Sequence, residues 1–240
     1  MLEIIKSLLL SFFAIAVLLP VIRYAMRRLS PAQQPAVLDA EELKYIQRQE
    51  LKLTLAYYVF AVVLSVFAAG MLALVASILH AYTLNGSSYV LTPNFRALFA
   101  PGLLIGLTLA LLPLKVIQST MLGHDYELYQ TYIQHQEGQN SRRAYGILFV
   151  VMLVLSAVVG WFAMRWHVTV HEDSIRITNV LLQERTYAIK DISSIQSLGV
   201  EGEYVIRFND QYNINTAYLK PVPPEMIALL SQESGKRVIH

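Results

Sequence analysis

The chain has 240 residues, no cysteine, and charges on only 15% of its positions. Without thiols there are no disulfide scaffolds, no thiolate metal sites and no cysteine catalysis. An ordinary soluble domain is about 25% charged. That deficit, set beside 55% hydrophobic residues, points to a membrane protein. The apolar content excludes a disordered chain. A net charge of only +2 excludes a basic surface built for nucleic acid, so no nucleic-acid partner is expected.

Charge is missing from particular places as well. Four apolar runs, at about 7–26, 55–79, 98–117 and 145–164, each reach the roughly 20 helical residues that cross a bilayer. No Asp, Glu or His lies at the middle of any of them. Such a group is the default mark of a proton relay, an ion path or an intramembrane catalytic centre. The runs therefore read as a scaffold, with no catalytic, cofactor or metal residue expected. Lys6, Arg23, His80, Lys115 and Arg165 lie near run ends, where long cations can snorkel to headgroups. The first run is too long for a signal peptide and no polar cleavage region follows it, so it reads as a retained anchor. Pro101 and Pro113 predict kinks or frayed ends in the third run.

Small residues are placed regularly. Ala61, Ser65, Ala69, Ala73 and Ser77 recur every fourth position, and Gly102, Gly106 and Ala110 continue the pattern in the third run. In lipid, small side chains let helix backbones approach closely. These eight residues are the candidate helix-packing face, within the bundle or against another subunit. Ala, Gly and Ser are also simply common in membrane helices.

Positive-inside counting puts the first connection (Arg23, Arg27, Arg28, Lys44, Arg48, Lys52) and the third (Lys115, Arg142, Arg143) inside. Lys6, Arg96 and Arg165 then lie outside, together with both termini. Within the first connection, Leu38–Leu51 reads as a polar helix capped by Asp39, with Glu41 and Glu42 in its first turn. In the third, from about Ser119 to Gln139, Tyr126, Tyr129 and Tyr132 share one helical face, as suits an interfacial helix. His124, Asp125, Glu127 and His135 lie nearby but follow no metal-ligand spacing. Asn85-Gly86-Ser87 reads as a turn rather than a glycosylation site.

Residues 1–166 carry 12 basic and 8 acidic side chains, and residues 167–240 carry 7 and 9. The second stretch is less than half as long with nearly as many charges, so a domain boundary falls there. From His167 the hydrophobic period becomes two. Strands are expected at His167–Val170, around Ile175 and Ile177, and at Arg185–Ile189, Ile192–Leu198, Tyr204–Asn209 and Tyr212–Leu219. A helix is expected from Pro224 to about Gln232.

The stretch His167-Val-Thr-Val-His-Glu-Asp-Ser-Ile-Arg-Ile-Thr-Asn, followed by Arg185-Thr-Tyr-Ala-Ile-Lys-Asp-Ile-Ser-Ser-Ile and Tyr204-Val-Ile-Arg-Phe, resembles bacterial pleckstrin-homology-like domains appended to membrane helices. The resemblance covers about 70 residues and rests on a loose motif. It implies a split barrel with a C-terminal helix, a binding or assembly role, and a cytoplasmic location, whereas the charge count favours the other side. Phosphoinositide binding is disfavoured, because the first hairpin turns at Glu172-Asp173 with only Arg176 near it. His167 and His171 share a strand face but have no third ligand in view.

The sequence thus reads as a four-helix transmembrane bundle (1–166) followed by a small PH-like β domain (167–240). The function expected of it is non-enzymatic: a multi-pass protein of a bacterial inner membrane that presents the domain for protein binding or complex assembly. Its expected partners are the lipid bilayer and another membrane protein or its own kind. A transporter or channel subunit is the alternative, and a membrane-interface enzyme acting on lipid-type substrates comes behind it.

Overall fold

The computed structural model describes residues 40–81, 89–137 and 141–239, with Val17 and Val21 besides. The first apolar run (about 7–26), Asp39 and Asn85-Gly86-Ser87 lie outside the described residues. The chain divides into two compact units. One is built from residues up to Ala68 and from Gly102–Ala157, the other from Ala69–Pro101 and Val158–His240. Among the described residues three helical stretches are long and apolar enough to cross a membrane: Glu41–Ala81, Phe95–Leu122 and Tyr145–Arg165.

Helix α1 is Ala40–Ala81, with Glu41 and Glu42 in its first turn. The polar helix and the apolar run expected as separate elements are therefore one continuous helix. Nothing between Leu51 and Leu55 stops it, since Leu-Lys-Leu-Thr-Leu contains neither Gly nor Pro and is rich in helix formers. At 1.5 Å per residue its 42 residues extend about 63 Å, twice the thickness of a bilayer core. Leu51, Leu55, Val59, Val63, Phe67 and Met71 form an exposed apolar row at every fourth position. Leu53, Tyr57, Ala61 and Ser65 form a buried one.

The third run begins and ends further out than expected and is broken once. Helix α2 is Phe95–Leu109 and α3 is Leu111–Leu122, with Ala110 between them in a turn. The cause is Pro113, which has no N–H to give the carbonyl four residues back. Hydrogen bonds resume on either side, from Ala110 N to Gly106 O (2.9 Å) and from Leu114 N to Ala110 O (3.3 Å). Pro101 sits inside α2 without ending it.

After a single 3-10 turn at Gly123–Asp125 comes α4, Tyr126–Glu137. The tyrosine face expected to lie at an interface is instead turned into the protein. Tyr129 and Tyr132 are buried with Ile46, Leu53 and Leu122, and Tyr126 packs against that cluster. The physical reason is the same i, i+3, i+6 spacing, since α4 has hardly any other apolar stripe to bury. Helix α5 is Ser141–Arg165.

The second unit holds the strands. β1 (Tyr89–Leu91), β2 (His167–Val170), β3 (Ser174–Thr178) and β4 (Glu184–Ala188) form one sheet in that order, all antiparallel. β5 (Ile192–Ser197), β6 (Tyr204–Phe208), β7 (Asn213–Asn215) and β8 (Val238–Ile239) form another, ordered β7-β6-β5-β8. Here β8 runs parallel to β5, and the other pairs are antiparallel. The alternation at Val168, Val170, Ile175 and Ile177 puts all four side chains into one core with Ile195, Ile206 and Phe208. Helix α6, Pro224–Ser234, starts on a proline at its first position and ends at Gly235, whose φ of 65° suits a residue without Cβ. It adds Met226, Ile227 and Leu230 to the same core.

Two features go beyond the pattern of alternation. β1 is drawn from before α2, in a stretch of three residues too short to show a period. The strand expected at Tyr212–Leu219 shrinks to β7, because Asn215 accepts from Ala217 N (2.9 Å) and starts a 3-10 turn at Thr216–Tyr218.

Candidate functional site

The small-residue positions separate into the two units. In the first, Ala61, Ser65 and Ala110 are fully buried and Gly102 and Gly106 are also buried. Ser65 lies directly against Gly106, where an added Cβ would collide with its hydroxyl and its backbone. The Ser65 hydroxyl donates to Ala61 O (2.5 Å) and reaches Leu103 O (3.5 Å). Ala61 and Ala110 share a cluster with Tyr57 and Leu107, and the Tyr57 hydroxyl donates to Leu107 O (3.0 Å), beside the break at Ala110. Ser156 of α5 meets Thr108 at 3.3 Å between hydroxyls, both buried. In the second unit Ala69 is buried, Ala73 and Ser77 are half-buried, and the Ser77 hydroxyl donates to Ala73 O (2.6 Å).

Among the described residues, no three of the histidines and acids weighed as ligands come together. His167 packs against His80 with the rings tilted by 47° and their centroids 4.4 Å apart, and with its Nδ1 2.8 Å from Arg165 O, while His171 lies exposed beyond β2. Asp125 accepts the Tyr45 hydroxyl at 2.8 Å. The side chains of His124 and His135 lie outside the described residues.

One asparagine joins a helix to the sheets. Asn94 precedes α2, and its side-chain oxygen accepts from Ala97 N (3.2 Å), the N-cap bond. Its amide nitrogen donates to Ala217 O (2.8 Å) and Leu219 O (2.9 Å). Two backbone bonds, Asn94 N to Tyr218 O and Lys220 N to Thr92 O, flank it. Arg96, two residues on, pairs with Glu203 at 3.1 Å.

β4 is an edge strand of its sheet. β3 and β4 pair as Ile175↔Tyr187, Arg176↔Thr186 and Ile177↔Arg185. The bonds Asn179 N to Gln183 O (3.0 Å) and Ile189 N to Asp173 O (3.1 Å) bracket this hairpin. The antiparallel alternation between them turns the backbone groups of Glu184 and Thr186 away from β3. No strand pairs with that side among the described residues.

Arg185 and Tyr187 share the face of Ile177 and Ile175 but stand on the last strand, so they reach past the core to the β6–β7 turn. Tyr187 stacks on Phe208 (4.1 Å, 19°) and lies 5.8 Å from Tyr212. Its hydroxyl donates to Asp210 Oδ2 at 2.8 Å. The Arg185 guanidinium sits 4.9 Å from the centre of the Tyr212 ring, within cation–π range. The hydrogen bond from Tyr187, then that from Tyr212 N–H, holds the Asp210 carboxyl below its ordinary range. Desolvation first, and the bond to Asp210 second, push the Tyr187 hydroxyl up.

Sequence reading passed over Arg185, Tyr187, Asp210 and Tyr212 because they come together only across two sheets. Asn94 was accessible, since an asparagine one residue before a helix is an N-cap signal. Neither family models, nor curated proteins, nor solved structures match this chain.

Proposed function

We propose that the chain is a non-enzymatic, multi-pass membrane protein whose apolar helices hold a small PH-like unit at the bilayer, and that the β4 edge binds an extended segment of another membrane protein or of a second copy. One observation carries the reading: β4 offers backbone groups on an open side, flanked by Arg185, Tyr187 and Tyr212. Strand addition uses such an edge for affinity, and Tyr and Arg are the residue types enriched among interface hot spots.

Further support comes from the arrangement of the second unit. Two four-stranded sheets followed by a helix on their core are compatible with the split barrel that the PH-like resemblance implies. The run at about 7–26 has the length and composition of a fourth span. A bacterial inner membrane is the proposed location, with the C-terminal unit outside the cytoplasm as the basic-residue count favours. The β2–β3 turn keeps Glu172 and Asp173 exposed, which disfavours phosphoinositide headgroups.

The test uses Thr186→Pro. Proline at an outward-facing edge position removes no bond to β3 but blocks an added strand. In mild detergent the unaltered chain is expected to run as a discrete complex larger than one chain, and the variant as the single chain with its melting temperature retained. A single chain in both cases, or the same complex in both, contradicts the reading.

A further inference from the structure

The β3–β4 turn is apolar where a soluble hairpin would be polar. Its tip is Val180-Leu181-Leu182, with Leu181 72% exposed. Leu182 adopts φ 59°, a left-handed conformation that a soluble turn would give to Gly or Asn. No charge lies between Asn179 and Gln183.

The backbone of the tip is satisfied from within. The Asn179 side-chain oxygen accepts from Leu181 N (3.0 Å) and Gln183 N (2.9 Å). Asn179 O accepts from Leu182 N (2.9 Å), and the Asn179 amide donates to Gln183 Oε1 (3.1 Å). A loop exposed to hydrocarbon is costly because its N–H groups find no water. This one has already paired three of them.

Beside the tip is a cleft of about 350 Å³, lined by Pro101 of α2, Val159 and Phe162 of α5, and Val180 and Leu181. That volume falls in the range of small-molecule pockets, yet the one polar side-chain atom among its lining residues is the Trp166 indole nitrogen. Val158, on its rim, is itself exposed and lies seven residues before the end of α5, or about 10 Å back along a helix. Arg165 over the Trp161 ring, at 4.7 Å, is the pairing expected at headgroup level.

We propose that this cleft holds one acyl chain of a bilayer phospholipid, with the β3–β4 tip as the wall that enters the hydrocarbon. The proposal rests on the membrane-anchor part of the reading above and is independent of the β4 edge. A lipid chain is the occupant because the lining is apolar apart from the single donor of the Trp166 indole, and because Val158 and Trp161 beside it are exposed.

The chain has two tryptophans, Trp161 and Trp166, and Trp166 lines the cleft. In the full chain carrying Trp161→Phe, reconstituted into phosphatidylcholine vesicles with bromine on one acyl chain, Trp166 emission reports on a chain in the cleft. Strong quenching is expected, falling by about half when Ala163→Leu or, separately, Ala97→Leu fills the space. Undiminished quenching in both filled variants overturns the proposal, as does absence of quenching in protein that floats with the vesicles. Protein that fails to float contradicts the anchor reading itself. Native mass spectrometry of the unaltered chain needs no variant: one retained phospholipid is expected, and none overturns the proposal.

Discussion

Ser65 and Gly106 touch so closely that no side-chain carbon fits at position 106. Close approach of this kind is what small residues permit between apolar helices. Gly106→Leu is expected to destabilise the first unit by about 1–3 kcal/mol, the usual range for overpacking, read as a lower melting temperature in detergent. The control is Gly146→Ala in α5, where a Cβ meets nothing within 4 Å. It should be neutral, or stabilising by up to about 1 kcal/mol. Equal effects of the two substitutions would show that the contact is not what limits residue 106.

Asn94→Ala removes an N-cap and two hydrogen bonds to carbonyls of the 217–219 segment. A loss of about 1–3 kcal/mol follows from the ordinary cost of a cap and of unsatisfied partners. Proteolysis near Lys220 should accelerate in parallel. Arg96→Ala, which breaks the exposed pair with Glu203, is expected to cost less than Asn94→Ala.

The Tyr187–Asp210 bond gives the β4 edge a pH signature. The Asp210 pKa is lowered in the fold, so its contribution is present above the unfolded carboxylate value of about 3.9 and is lost as pH falls through the lowered one. The Tyr187 pKa is raised. Its contribution is present below about 10 and is lost as pH rises through the raised value. Tyr187→Phe should bring the Asp210 carboxyl back toward the ordinary range in an NMR titration and flatten the acid limb of the melting profile. An unchanged Asp210 titration would contradict the geometry.

Orientation is checked with a reporter fused after His240. The distribution of basic residues predicts activity only on the far side of the membrane from the cytoplasm. Activity only in the cytoplasm would reverse the assignment and agree with the PH-like resemblance.

Much of the fold was legible because its signals are local. Alternation from His167 marks β2 to β6 nearly to the residue, Pro224 marks the start of α6, and Pro113 marks the break after α2. What stayed hidden depends on tertiary partners. α1 is continuous because no residue around Leu53 interrupts it, and an apolar count has no sign for that. The faces of Tyr129 and Tyr132 fit an interface or a core equally well until α4 packs on Ile46 and Leu53. β1 has three residues and acquires meaning only beside β2. The candidate site was the least legible part. Arg185 and Tyr187 lie in the stretch that resembles PH-like domains, but nothing local ties them to Tyr212 and Asp210, more than twenty residues later in the β6–β7 turn.

Site-specific photocrosslinking from Thr186 in intact membranes tests most directly whether the β4 edge is an interface. With a photoreactive side chain at 186, one discrete adduct to a single polypeptide is expected, weakened by Arg185→Ala and absent when the same group is placed at exposed Glu201. Equal labelling from 186 and 201, or no adduct from 186 in chain that is present in the membrane, would contradict a docking role for β4.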